Sequence, residues 1–114
     1  MNIPNDADGD AMRRVLNDGS DPAKSMGIDF MIDCPSMPAA EKIAPATGRL
    51  GYSVKIVQDP GEDDGASITC YCTKNMLLDY DALIVAQAEL HRAAEPFGGY
   101  IDGWGTFGNK PARN

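Results

Sequence analysis

The sequence is poor in the residues on which small proteins most often build chemistry or crosslinks. It has one histidine, His91, one tryptophan, Trp104, and three cysteines, Cys34, Cys70 and Cys72. An odd cysteine count without a secreted-scaffold spacing gives no disulfide framework and points to reduced thiols. No apolar run approaches the ~20 residues a membrane-spanning helix needs, so no membrane partner is expected. The stretch Met1-Asn2-Ile3-Pro4-Asn5-Asp6 has neither a basic start nor an apolar core, and a cytoplasmic location is the expectation. Basic residues are scarce too: ten lysines and arginines stand against seventeen acids, for a formal net charge of -7. That sign repels phosphate backbones and argues against direct nucleic-acid binding. It draws the chain towards basic proteins instead, including those that bind RNA or DNA themselves, although acidity also serves plain solubility.

Catalytic and metal signatures are missing as well. His91 stands beside no nucleophile of a known pattern, and no glycine-rich phosphate loop follows a strand. Asp6-Ala7-Asp8-Gly9-Asp10 opens like a calcium loop, but Ala11 and Asn17 stand where that loop needs Gly and Glu. Helix capping accounts for these acids better. Cys70-Tyr71-Cys72 with Cys34 and His91 offers ligand types that zinc accepts, yet strand alternation turns both Cys70 and Cys72 to the buried face. A non-enzyme with no cofactor and no metal is expected.

What is present is a regular alternation of helical and strand patterns. Residues 8–18 read as a short helix, capped by Asp6 or Asp8, with Met12, Val15 and Leu16 as its apolar stripe. From 27 to 33 the period becomes two, with Ile28, Phe30 and Ile32 on one side and Asp29, Met31 and Asp33 on the other. Ser36 can cap a second helix with an apolar face of Ala39, Ile43, Ala46 and Leu50. Pro45 and Gly48 predict that it is kinked or broken. Tyr52, Val54 and Ile56 form a second strand. A turn follows with the carboxylates Asp59, Glu62, Asp63 and Asp64, then a third strand with Ile68, Cys70 and Cys72 facing in and Thr69 and Tyr71 facing out. The short connection predicts an antiparallel hairpin. Residues 79–97 form the strongest helix, through Leu83, Ala86, Leu90, Ala94 and Phe97. Residues 110–114 carry no pattern and are expected to fray, as are residues 1–7. The chain is one domain, 1–114.

Without its first helix the order is βαββαβ, the split arrangement of a ferredoxin-like α+β sandwich. Right-handed crossovers then predict a four-stranded antiparallel sheet in the order 4-1-3-2, with two helices on one face. The other face would show Asp29, Met31, Asp33, Thr69, Tyr71, Tyr100, Asp102 and Trp104, and the added N-terminal helix is available to cover part of it.

The last strand concentrates the unusual features. Gly103 and Gly105 flank Trp104, which suggests close approach by another element or a bulge that re-aims the indole. Simple parity points Tyr100, Asp102 and Trp104 one way and Ile101, Gly103 and Gly105 the other. Two readings follow: Trp104 is a core or lid residue, or it joins Tyr100 and Asp102 in a recognition surface. The candidate partner-binding set is Asp29, Asp33, Tyr71, Asp102 and Trp104, with Asp59, Glu62, Asp63 and Asp64 as an alternative acidic loop. Asp18, Gly19, Asp21, Gly103 and Gly105 are assigned to turn and backbone geometry.

Three segments carry a family resemblance. Leu16-Asn17-Asp18-Gly19-Ser20-Asp21-Pro22, Leu50-Gly51-Tyr52-Ser53-Val54, and Ala94-Glu95-Pro96-Phe97 leading into Tyr100-Ile101-Asp102-Gly103-Trp104-Gly105-Thr106 resemble the regulator of ribonuclease activity B family, the ribonuclease E inhibitors. The resemblance implies a ferredoxin-like fold with an added N-terminal helix and a non-catalytic regulator. Its implied partner is ribonuclease E, through that enzyme's basic C-terminal scaffold region, or another basic RNA-processing protein. Binding there would lower RNA cleavage and slow mRNA decay. Two other readings stay open: an acidic interaction module for a different partner, and a small enzyme working through Asp29, Asp33 and Asp102.

Overall fold

The computed structural model describes residues 3–59 and 67–110. In chain order it contains helix α1 (Ala7–Asn17), strand β1 (Met26–Cys34), helix α2 (Met37–Gly48), strands β2 (Ser53–Asp59) and β3 (Ser67–Met76), helix α3 (Tyr80–Ala94) and strand β4 (Tyr100–Thr106). A single 3₁₀ turn, Glu95–Phe97, closes α3. The period of two in β1 is realised along its whole length: Met26, Ile28, Phe30, Ile32 and Cys34 are buried, and the residues between them are not. Each helix starts on a side-chain cap. Asp6 accepts from Gly9 N at 2.8 Å, Ser36 from Ala39 N at 3.2 Å, and Asp79 from Ala82 N at 2.9 Å. Such caps satisfy backbone N–H groups that the first turn leaves without partners.

The strands form one antiparallel sheet in the order β2-β3-β1-β4, the expected order read from the other edge. Helices α2 and α3 lie on one face. Phe30, Ile32, Ile43, Cys70, Cys72, Leu83 and Leu90 fill the space between, all at zero exposure. Gly99, just before β4, allows the tightest contact there. A Cβ at this position would lie 2.7 Å from Ile43 Cδ1 and 3.1 Å from Ala94 Cβ.

Two expectations are corrected. Helix α2 is continuous through Pro45, and its buried face is Ala40, Ile43 and Thr47 rather than Ala39, Ile43, Ala46 and Leu50. Pro45 is exposed, so the carbonyl it leaves without a helical donor can be met by water. Thr47 tolerates burial because its hydroxyl donates within its own helix, to Ile43 O at 3.0 Å and Ala44 O at 3.1 Å. The second correction concerns α1, which does not cover the open face. It packs beside α3 on the helical side, with Met12 fully buried in the shared core. The segment leading into it is held by Arg13, whose Nη2 donates to Ile3 O at 2.6 Å and Pro4 O at 3.1 Å.

Candidate functional site

Strand β4 decides which side chains share a face. Its register against β1 runs Asp33 with Tyr100, Ile32 with Ile101, then Phe30 with Trp104. Asp102 and Gly103 together therefore oppose the single residue Met31, which is a β-bulge. Gly103 carries the strain of the extra residue, with φ at +100°, a value that L side chains rarely adopt. The bulge shifts the parity by one. Trp104 shares the side of its partner Phe30, under the helices, and is thereby removed from the face expected to hold it with Asp29, Asp33, Tyr71 and Asp102.

The indole is half-buried against the core and lidded by α1. Its Nε1 donates to Asp8 Oδ1 at 2.9 Å, and Gln87 Nε2 of α3 donates to the same oxygen at 3.3 Å. One carboxylate thus ties α1, α3 and β4 together. A second tie lies nearby, where the Tyr80 hydroxyl donates to Asp6. That bond, with the donation from Gly9 N, lowers the Asp6 carboxyl below its usual value.

Asp29, Asp33, Tyr71 and Asp102 lie on the other face, which no helix among the described residues covers. Asp29 pairs across with Thr73, Met31 with Tyr71, and Asp33 with Thr69 on one side and Tyr100 on the other. The Thr73 hydroxyl donates to Asp29 Oδ1 at 2.5 Å. Asp33 raises the Tyr100 phenol above its ordinary value, first by hydrogen bonding and then by charge, with burial and Asp102 adding to the effect. Asp29 and Asp33 are four residues apart on one strand, about 13 Å at the usual strand rise. They form a strip with Asp102, too spread out for the paired acid–base chemistry of neighbouring carboxylates. Neither β1 nor β4 carries a lysine or arginine. Lys74 of β3 pairs with Ile28 and lies over the Tyr52 ring on the helical side, whereas Lys55 of β2 pairs with Tyr71 on the open face.

His91 sits elsewhere, on exposed α3 surface, with its Nε2 2.9 Å from Glu95 Oε2. It does not meet Asp29, Asp33 or Asp102, because the sheet lies between. The three cysteines are free and buried, with Cys34 and Cys70 sulfurs 3.6 Å apart. Burial pushes the Cys70 thiol up to about 12 and the Cys72 thiol up to about 11. Of the alternative acidic loop, Asp59 ends β2 at an exposed position, whereas Glu62, Asp63 and Asp64 lie outside the described residues. No helix among the described residues is long and apolar enough to cross a membrane.

Sequence reasoning missed Phe107, Lys55 and the Asp8 contact. Phe107 is 99% exposed just beyond β4, beside a shallow groove of about 380 Å³ lined by Asp29, Lys55, Val57, Tyr71, Thr73 and the ring itself. An aromatic standing between the last strand and Gly108 in a polar tail was the available signal.

Comparison with known proteins accounts for most of the chain. The chain is 34% identical over 97 residues to the regulator of ribonuclease activity B of Proteus mirabilis, covering 84% of this chain and 68% of that protein. It is 30% identical over 97 residues to the Aeromonas hydrophila protein of the same name, covering 84% of each. Against the Escherichia coli K12 regulator it is 30% identical over 101 residues, 88% of this chain and 73% of that one. The sequence model described as regulator of ribonuclease activity B matches residues 5–106. That span starts in the lead into α1, ends on the last residue of β4 and takes in the bulge, so the chain belongs to the regulator of ribonuclease activity B family.

Proposed function

We propose that this protein is a non-catalytic cytoplasmic regulator that binds ribonuclease E through the basic C-terminal scaffold region of that enzyme and lowers its cleavage of RNA. The observation that carries this reading is the strip of Asp29, Asp33 and Asp102 on an uncovered sheet face, in two adjacent strands without a lysine or arginine. A face of that sign attracts a cationic partner and repels the RNA such a partner holds. The net charge of -7 acts in the same direction over longer distances and speeds encounter. Family membership supports the choice of a ribonuclease. On this reading Trp104 supports the face from behind, and Asp29, Asp33, Tyr71 and Asp102 touch the partner.

The test is a pull-down of the ribonuclease E C-terminal region at rising salt, with the wild type and with Asp29→Asn/Asp33→Asn/Asp102→Asn. Binding by the wild type should weaken as salt rises, and the triple variant should bind several-fold less at low salt while keeping its melting temperature. Absence of wild-type binding at low ionic strength would refute the proposal. So would full binding by the triple variant.

A further inference from the structure

The residues after β4 are held in place from two sides. Thr106 Oγ1 donates to Gly27 O at 2.6 Å and accepts from Gly108 N at 3.0 Å. Asn109 then locks onto the loop that follows α1. Its Oδ1 accepts from Asp21 N at 2.8 Å, its Nδ2 donates to Asp21 O and Lys24 O at 3.0 Å each, and its N donates to Ser20 Oγ at 3.2 Å. Between these anchors the Phe107 ring is left almost wholly in solvent, forfeiting the burial that usually makes an aromatic stabilising. An apolar ring fixed in water by its neighbours on both sides has the form of a binding group.

The groove beside it has mixed chemistry. Tyr71 supplies a second, partly exposed ring, Val57 and Thr73 supply an apolar floor, and Asp29 supplies a carboxylate. Asp29 Oδ1 is engaged by Thr73, which leaves Oδ2 for a donor from outside. We propose that this groove is an arginine-binding site for an extended basic segment of a partner protein. A guanidinium is planar and weakly hydrated, stacks on aromatic faces and bonds a carboxylate, while its aliphatic stem lies on apolar surface. Lysine lacks the planar group and gains less from the rings. A partner strand running along β1 brings a second cation, four residues on, to Asp33 and Asp102. Lys55 at the edge of the groove opposes the incoming charge and sets the affinity below its maximum.

The site deepens the proposed function and depends on it only for the identity of the partner, so the test separates the two. Binding of nona-arginine and nona-lysine peptides to the full chain is measured by calorimetry, with the ribonuclease E C-terminal region in parallel. Nona-arginine should bind more tightly. Phe107→Ala should lose about fivefold on nona-arginine and abolish the preference over nona-lysine, with Phe107→Tyr retaining both. Lys55→Ala should bind more tightly than the wild type. Trp104 emission reports that each variant is folded. Equal affinity for the two peptides, or an unchanged Phe107→Ala, overturns the site. A concentration-dependent dimer that Phe107→Ala abolishes also overturns it, since the ring would then serve a second copy of the chain. If the arginine preference holds and the ribonuclease region does not bind, the proposed function alone fails.

Discussion

Replacing Asp8 by alanine removes the acceptor that joins the N-terminal helix to the rest of the fold. Trp104 Nε1 loses its acceptor and Gln87 Nε2 loses one of two, keeping Leu83 O at 3.3 Å. A hydrogen bond to a charged group contributes about 1.5–3 kcal/mol, and a half-buried indole N–H left unpaired adds part of its own desolvation cost. Partial exposure of the site draws the figure towards the lower end, so about 2 kcal/mol is expected. In a domain of this size that lowers the melting temperature by roughly 8 °C. Because Trp104 is the only tryptophan, its emission reads the contact directly and should shift to the red. Asp8→Asn keeps an acceptor and loses the charge, and should recover about half of the stability. Asp10→Ala is the control: that exposed carboxylate sits in the same turn but pairs, among the described residues, with Arg13 alone, and its loss should cost under about 1 kcal/mol. Thermal unfolding and fluorescence of the three variants make the measurement. An Asp8→Ala protein with wild-type melting and wild-type emission would refute the placement of α1 over Trp104.

Gly103→Val places a β-branched side chain at φ +100° and should destabilise the fold by about 2 kcal/mol, whereas Gly105→Ala, with nothing near its Cβ and no positive φ, should change urea unfolding much less. Among the thiols, burial pushes Cys70 up to about 12 and Cys72 up to about 11 and also raises Cys34, so a thiol-reactive dye should label the native protein very slowly and label all three on unfolding. The alkaline limb of stability follows from these groups and from Tyr52, which burial pushes up to about 12. Each has a folded value above its unfolded one, so its contribution is complete below the unfolded values of about 9 and 10 and is lost as pH rises through the folded values. Urea unfolding from pH 8 to 11 should show level stability and then decline; stability that rises across that range would contradict the burial assigned to these side chains.

The sheet order and the burial of β1 were legible because they rest on local alternation and on short connections, which leave few topologies. The faces of Asp29, Asp33 and Tyr71 follow from the same counting. For Trp104 the core-or-lid reading and the suggested bulge hold, and only the recognition-surface reading fails, because simple parity breaks at the bulge. Two glycines flank the indole, and the sequence does not say which one takes the extra residue; the register against Phe30 does. At Pro45 helix α2 is not broken, since the exposed position makes the proline tolerable, and its buried face was misread because Thr47 can bury its hydroxyl by returning it to its own helix. The aromatic in a polar tail could have been noticed, but the placement of Phe107 was illegible for a different reason. Its position depends on Asn109 binding the loop at Ser20 and Asp21, contacts between opposite ends of the chain that no local pattern encodes.

Those same contacts explain why the two most distinctive segments of the sequence belong together. Asp18-Gly19-Ser20-Asp21-Pro22 ends α1 and then receives Asn109, and Asp18 also lies 3.4 Å from Lys110 Nζ. Asp102-Gly103-Trp104-Gly105-Thr106 turns the indole inward under α1 and ends with the hydroxyl that fixes Gly108. One segment holds the helix down at Trp104; the other holds the chain that emerges from the same strand. Between them they settle the position of Phe107 beside Asp29 and Tyr71 without either segment contributing a contact residue of its own at the groove. Asp102 apart, the motif residues are therefore scaffold, and the chemistry of the groove falls to less distinctive neighbours. Substituting Asn109 by alanine tests that division: it removes the anchor of Phe107, changes no groove side chain, and should weaken nona-arginine binding with little change in Trp104 emission.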